Sequence, residues 1–500
     1  MRNQKTVGIF FGLITMLILG MLLSACTPPA PSDSDTTELT TTDAETEQDT
    51  TTDTYIPEDT EPESESEPES ESESTTEAES ESEYVAVEET FSWRNPIRYP
   101  FEPLRDPFIL KYGDAWYMTG TLPPYGLETE ANRTKGVPLY KSTNMTDWTF
   151  VDYIVKTPAE AEGKWYSERF WAAELFAHNG KFYVTVNCCA VDGSNHGFLF
   201  AVADDIEGPY TIMNPDAPLA FGNDAHLFVD TDGQTYVFAS NIMYAKIDLD
   251  SLTLLSDWKT PVEPIPDSDA WNALRPGVGF EGPYVLVANG TYYMFYSTWG
   301  RGYEIGLAKA DSVNGDWLMY PNPMYGGMNQ GSCDRYGYTY EPDYYENQLT
   351  YRECGHNSVF EGPDGNLWIS AHAFIGSATS PNLIIDRLVF DEERGILCLD
   401  TAANKTVNGP TRKPLSVTYD PNNNEAAALN ALDVWKYVDA GENCDLPDQV
   451  DILLENGFRR PATVSWDATP NTAEAGSFTV SGTATYRGVT YPVTAHITVS

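Results

Sequence analysis

The 500 residues carry 75 acidic against 29 basic side chains, a formal charge of −46, with no basic tract, and this excludes nucleic acid as a partner. Hydrophobic residues make up 41% of a chain longer than one usual domain, so more than one folded unit is expected.

Arg2 and Lys5 precede the apolar run VGIFFGLITMLILGMLL, which ends in Leu23-Ser24-Ala25-Cys26. A charged start, an apolar core and small residues before the cut describe a secretory signal. The LSAC ending resembles the bacterial lipobox, which implies a signal peptide over 1–25, lipid attachment at Cys26 and an extracytoplasmic protein anchored to the membrane. The run is also close to the length of a membrane span, so an uncleaved anchor is the other reading. Residues 26–87 are rich in Thr, Ser, Glu, Asp and Pro, with 21 acidic and no basic residues between Asp33 and Glu83. Such a segment buries too little apolar surface to offset its ordering entropy, and it is expected to act as a disordered tether. Beyond Cys26, the cysteines at 188, 189, 333, 354, 398 and 444 show no CxxC spacing, so no zinc site is expected, and disulfide pairing stays open.

From 90 to 412 one unit recurs five times: DPFILKYGDAWYMTG from Asp106, WAAELFAHNGKFYVTV from Trp171, DAHLFVDTDGQTYVFAS from Asp224, FEGPYVLVANGTYYMFYS from Phe280, and HNSVFEGPDGNLWISAH from His356. Each is two strand-like runs joined by a turn, as at Asn289-Gly290, and each is followed by further β-rich pieces. Counting from a head residue to the aromatic of the second run gives 11 positions for Asp106 and 12 for Trp171, Asp224, Glu281 and His356. The heads are therefore expected at one equivalent position, reading Asp, Trp, Asp, Glu, His. About four strands per unit without amphipathic helices predict an all-β, five-bladed β-propeller, in which the first strands line a central channel. Asp106, Asp224 and Glu281 then converge, with Trp171 and His356 bordering the same space. Asp230 and Asp232 fit a solvated turn.

Residues 413–439 read as a connector in which NNNEAAALNALDVWKYVD forms a short helix, and 440–500 as alternating Val/Thr-rich strands of a small sandwich. The phrases LPDQV, VSWD, GSFTVSGTATYRG and HITVS resemble bacterial immunoglobulin-like domains, which implies a spacer or a weak carbohydrate-binding module.

Three carboxylates in one confined site raise one another's pKa, and a cluster of that kind serves metal binding or acid/base chemistry. Glycoside hydrolysis needs a protonated acid and an ionised base or nucleophile on opposite faces of a sugar. The motifs RDPFIL, FGNDAHLFVDTDG, FEGPY and GHNSVF together resemble glycoside hydrolase family 43. The resemblance implies an inverting hydrolase of α-L-arabinofuranosyl or β-xylosyl linkages in plant cell-wall polysaccharides. It implies Asp106 as general base, Glu281 as general acid and Asp224 as the carboxylate that raises the acid's pKa and orients it. His356 is implied near the channel centre, against a metal-bound water or substrate, or else in a structural hydrogen bond. Trp171 and Phe170 suit stacking on a sugar, with core packing the other reading for Phe170, and Glu174 is a further candidate for a pocket contact. Where WAPE or WAPD and IDP are common in the family, this chain has Trp171-Ala172-Ala173-Glu174 and Asn223-Asp224-Ala225.

The chemistry requires no cofactor, and the resemblance leaves room for a structural calcium ion in the channel. The expected partners are a carbohydrate and, through the anchor, a membrane; the protein is expected to be a monomer. Two other readings stand: a retaining fructan-type propeller hydrolase, and a non-catalytic surface lectin. The EGP tripeptide recurs at Glu207 and Glu361, but repeat phase singles out Glu281. The loops LPPYGLETEANRTKG and YGGMNQGSCDRYGYTYEPDYYENQLTYREC are expected to shape the site.

Overall fold

The computed structural model describes residues 89–97, 103–123, 135–156, 161–260, 279–299, 303–320, 325, 351–376, 378–392, 395–400, 415–419 and 425–500. The expected signal peptide and tether, Cys26 and most of the two long loops lie outside the described residues. So does Cys333; Cys354 and Cys444 are buried free thiols.

Five four-stranded antiparallel sheets follow one another along the chain. Blade 1 comprises Arg105–Tyr112, Ala115–Thr121, Gly136–Ser142 and Thr149–Lys156, and blade 2 comprises Glu168–His178, Lys181–Cys189, Gly197–Ala203 and Thr211–Ile212. Blade 3 is His226–Val229, Thr235–Ala239, Met243–Asp248 and Thr253–Leu254. Blade 4 is Phe280–Ala288, Thr291–Thr298, Glu304–Ala310 and Leu318–Met319, and blade 5 is Tyr351–Glu361, Leu367–Ile375, Asn382–Asp391 and Ile396–Leu399. Hydrogen bonds between neighbouring blades close the circle. Ala172 N donates to Thr121 Oγ1 (2.7 Å), Thr185 Oγ1 to Ala225 O (2.5 Å), Val285 N to His226 Nε2 (3.0 Å), His356 N to Ser297 Oγ (2.7 Å) and Ile109 N to Ser358 Oγ (2.8 Å). The expected five-bladed propeller is the fold, and apolar clusters fill each seam, such as Phe108, Leu139, Phe170 and Leu199 between blades 1 and 2.

Strand register corrects the expected equivalence of the heads. The central aromatics do correspond, because Tyr117, Tyr183, Tyr236, Tyr293 and Trp368 pair with Leu110, Phe176, Phe228, Leu286 and Phe360. Four residues before those partners stand Asp106, Ala172, Asp224, Gly282 and His356, all with left-handed φ between 48° and 60°. Trp171 and Glu281 lie one residue earlier. The counts misled because the first hairpin turns over two residues in blades 1, 2 and 4 but over three in blades 3 and 5, where Asp230 N bonds Gln234 O and Gly362 N bonds Asn366 O. In blades 1, 2, 4 and 5 a register shift breaks the ladder at this position, and such bulges re-aim side chains.

The expected helix near 425–438 is absent; Ala428–Ala431 and Val434–Val438 are strands. They flank Gln449–Leu454, Arg459–Trp466, Gly476–Tyr486 and Val489–Val499 in one six-stranded sheet, with Val434–Val438 parallel to the last. Val434, Ile452, Val480 and Ile497 pack in one core, so burial of the apolar side chains overrides the local helical propensity. Leu415–Tyr419, also within the expected connector, pairs with Glu89–Trp93.

The C-terminal unit sits against the hairpin-turn end of the blades. Trp435 Nε1 donates to Asp232 O (2.9 Å), Asn456 Nδ2 to Gly365 O (3.0 Å), and His178 Nδ1 lies 2.8 Å from Asp451 Oδ2. Glu361, buried, accepts both Lys111 (2.8 Å) and Arg460 (2.6 Å), joining blades 1 and 5 to this unit. Asp230 is buried rather than solvated, since the Tyr292 hydroxyl of the next blade hydrogen-bonds its carboxylate.

Candidate active site

The left-handed residues stand at one level of the five inner strands, four residues before the partners of the central aromatics. Asp and His tolerate this conformation better than most residues, and strained backbone of this kind clusters at functional sites. Gly282 has no alternative: a Cβ there would sit 3.1 Å from the His356 ring, on a backbone with φ of 54°.

Asp106 Oδ2 accepts from Thr121 Oγ1 at 2.7 Å, and its other oxygen lies 3.6 Å from His356 Nδ1. Its backbone N donates to His372 Nδ1 at 3.1 Å. Burial pushes the Asp106 carboxyl up, but His356, Arg105 and the Thr121 hydrogen bond outweigh it and hold the group below the usual aspartate range. Asp224 is more fully tied. Asn187 Nδ2 (3.0 Å) bonds one oxygen, while Ser240 Oγ (2.9 Å) and Gly282 N (3.0 Å) bond the other.

Glu281 keeps part of its surface open to the channel and accepts one hydrogen bond, from Trp299 Nε1 at 3.1 Å. Burial, then the nearby negative charge of Asp224, raise its pKa above the ordinary glutamate value. The two carboxyls are thereby pushed in opposite directions, the pattern that separates an acid from a base.

The remaining candidates divide. His356 is buried; burial lowers its pKa, and the surrounding Asp106, Asp224, Glu174 and Glu281 raise it beyond the ordinary value. Its Nε2 is buried and has no hydrogen-bond partner among the described residues. Trp171 is half-buried at the mouth, with the Arg169 guanidinium 4.9 Å over its ring and His196 edge-on at 6.3 Å. Phe170 is 1% exposed inside the seam of blades 1 and 2, so of its two readings core packing holds. Glu174 lies deeper in the channel, buried and bonded to His226 Nδ1 at 2.8 Å, and takes no place at the mouth. Glu361 ends the blade 5 inner strand at the far end, neutralised by its two cations, as repeat phase requires.

For calcium, the described residues supply no cluster of three or more His, Cys, Asp or Glu side chains able to hold an ion. His356 offers nitrogen where calcium prefers oxygen, and the oxygens of Asp224 are already bonded. Among the described residues, no calcium cage forms.

Sequence reasoning missed a second ring. Four residues after the central aromatics come Thr121, Asn187, Ser240, Ser297 and His372, polar in every blade. Each holds a residue of the first ring: Thr121 and His372 hold Asp106, Asn187 and Ser240 hold Asp224, and Ser297 holds His356. A polar residue at a fixed offset, ending an otherwise apolar run, was the available signal.

The profile of glycosyl hydrolases family 43 matches residues 93–394. The chain belongs to that family. A second profile, bacterial Ig-like domain (group 4), matches residues 432–486. The family 43 region is similar to a beta-xylosidase of Formosa agariphila, 26% identical over 250 residues that make up 44% of this chain and 37% of the relative. It is also similar to extracellular endo-alpha-(1->5)-L-arabinanase 2 of Bacillus subtilis, 29% identical over 236 residues, 39% of this chain and 48% of the relative. The chain thus spans half or less of the length of these two relatives. The crystal structure of a thermostable family-43 glycoside hydrolase superposes with a TM-score of 0.51 at 27% identity, over 65% of this chain and 98% of that one.

Proposed function

We propose that this protein is an inverting glycoside hydrolase of plant cell-wall polysaccharides, acting on α-L-arabinofuranosyl or β-xylosyl linkages. The observation that carries this reading is the convergence of Asp106 and Glu281 at one channel mouth with their proton affinities shifted apart. Asp106, kept ionised by its neighbours, takes a proton from water as that water attacks the anomeric carbon. Glu281, whose hold on its proton is raised by burial and by the Asp224 charge, delivers that proton to the leaving oxygen. Asp224 holds the Gly282 amide beside the acid and favours the acid's protonated form through its charge. Trp171 offers a ring at the rim, and His356 a contact for water or a sugar hydroxyl. The family 43 relatives described as a xylosidase and as an extracellular arabinanase support both the substrate class and an extracytoplasmic site of action. Lipid attachment at Cys26, proposed from the LSAC motif, would keep the enzyme at the bacterial surface.

The test is hydrolysis of debranched arabinan, arabinoxylan, xylan and galactan, with the anomer of the first product followed by NMR. Release of the inverted anomer from an arabinan or xylan substrate is expected. A retained anomer would point to a covalent intermediate and overturn the assignment of Asp106 as base, and inertness on the whole panel would favour a lectin.

A further inference from the structure

Glu281 and Asp106 belong to blades 4 and 1, and blade 5 separates them around the channel on that side. The seam at blade 5 holds an unbroken stack of rings. The Trp299 indole, whose Nε1 donates to Glu281 Oε2 at 3.1 Å, stacks on Tyr303 at 4.3 Å and 29°. Tyr303 stacks on His372 at 5.6 Å and 27°, and His372 Nδ1 accepts the backbone N–H of Asp106 at 3.1 Å. Tyr303 is 1% exposed and His372 fully buried.

We propose that Trp299, Tyr303 and His372 form a positioning bridge that fixes the placement of Glu281 relative to Asp106. The inference rests on the reading of Glu281 as acid and Asp106 as base.

Three features make the stack a spacer rather than incidental packing. Tyr303 is seated against Gly355, where a Cβ would approach its ring to 2.0 Å, so the phenol has one position. His372 is neutral: burial, then Arg105, push its pKa down to about 3. Its 3.5 Å approach to Asp106 Oδ1 is therefore no ion pair, and the ring acts as an acceptor that pins the left-handed Asp106 backbone. At the other end the indole N–H gives the Glu281 carboxyl its one hydrogen bond among the described residues, and by favouring the carboxylate it opposes the effect of burial. Displacing reacting groups by about 1 Å costs about 10²-fold in rate, so a rigid spacer between acid and base has a direct catalytic consequence.

The experiment compares the full-length wild type with Trp299→Phe, Tyr303→Leu, Tyr303→Phe and Glu281→Gln on debranched arabinan and xylan, across pH. Trp299→Phe keeps the stack but loses the donor. Its kcat is expected to fall about tenfold with KM nearly unchanged, and the basic limb of its kcat/KM profile to move to higher pH. Tyr303→Leu is expected to lose about 10²-fold in kcat, and Tyr303→Phe to recover most of that loss. If Trp299→Phe keeps both the wild-type kcat and the wild-type basic limb while Glu281→Gln is inactive, the bridge is refuted and the acid assignment stands. Equal loss in Tyr303→Phe and Tyr303→Leu also refutes it, since the ring would then not be the operative element. If Glu281→Gln matches the wild type, or the wild type is inert on both polymers, the acid assignment fails and the bridge fails with it.

Discussion

Glu281 illustrates how one carboxyl is set apart from its neighbours. Asp106 and Asp224 each accept hydrogen bonds from side chains of the second ring, and at Asp106 the Thr121 hydroxyl favours the charged form. Glu281 has the Trp299 N–H and otherwise faces burial and the Asp224 charge, so its hold on the proton is raised above that of an ordinary glutamate. That arrangement has a thermodynamic consequence. A group whose pKa is raised on folding contributes stability that is present below its unfolded pKa and lost as pH rises through the folded value. Glu281→Gln cannot ionise, so its Tm is expected to match the wild type near pH 4 and to exceed it increasingly toward pH 8, as followed by calorimetry. A variant less stable than the wild type at pH 8 would show that the Glu281 carboxylate is not held at a cost. Strand register puts Asp106 and Asp224 at one level and Glu281 one residue before it, so repeat phase in the sequence brought the three carboxylates together without giving Glu281 its own level. Their supports were not legible there, since Trp299 and Tyr303 lie outside the repeated hairpin and meet His372 only through the packing of blades 4 and 5.

At the scale of the hairpin, one residue of turn length decides which side chains share a level. The two-residue turns of blades 1, 2 and 4 and the three-residue turns of blades 3 and 5 shift the apparent phase, and they make Trp171 and Glu281 look equivalent to Asp224 and His356. The sequence signals DTDG and EGPDGN mark the longer turns, so the correction was available in principle from turn chemistry. The turn in blade 3 also carries a docking constraint. Gly233 has φ of 81°, and a Cβ there would come within 1.9 Å of Asp433 O in the C-terminal unit. Gly233→Ala is expected to destabilise the protein by roughly 2–3 kcal/mol in urea unfolding, through left-handed strain and the clash together. A change of a few tenths would mean the contact yields freely. The strands at Ala428–Ala431 and Val434–Val438 show the opposite limit of local reading. The run NEAAALNAL favours helix by composition, and only the partner strands Gln449–Leu454 and Val489–Val499, distant in sequence, make it β.

Across the whole molecule, the five blades bring to one mouth residues spread over 250 positions, from Asp106 to His356, and the C-terminal unit covers the other end. Its contacts reach the hairpin turns of blades 2 to 5 directly and blade 1 through the Lys111–Glu361–Arg460 ion pairs. This intimacy was not legible from a resemblance that suggested a spacer, because the interface is built from scattered glycines and single polar side chains. Gly457, for example, lies so close to Val287 O that a Cβ would meet it at 2.0 Å. With the far end covered, the proposed activity requires a sugar chain to enter at the carboxylate mouth. The most direct test of that account is the pH dependence of kcat/KM for the wild type, Asp106→Asn and Glu281→Gln on the polysaccharide the wild type cleaves. A bell is predicted, its acidic limb below the ordinary aspartate value and its basic limb above the ordinary glutamate value, following the two opposed shifts. Each variant is predicted to lose about 10²- to 10⁴-fold, with the basic limb absent from Glu281→Gln. A Glu281→Gln enzyme that keeps the wild-type rate and the wild-type basic limb would contradict the account.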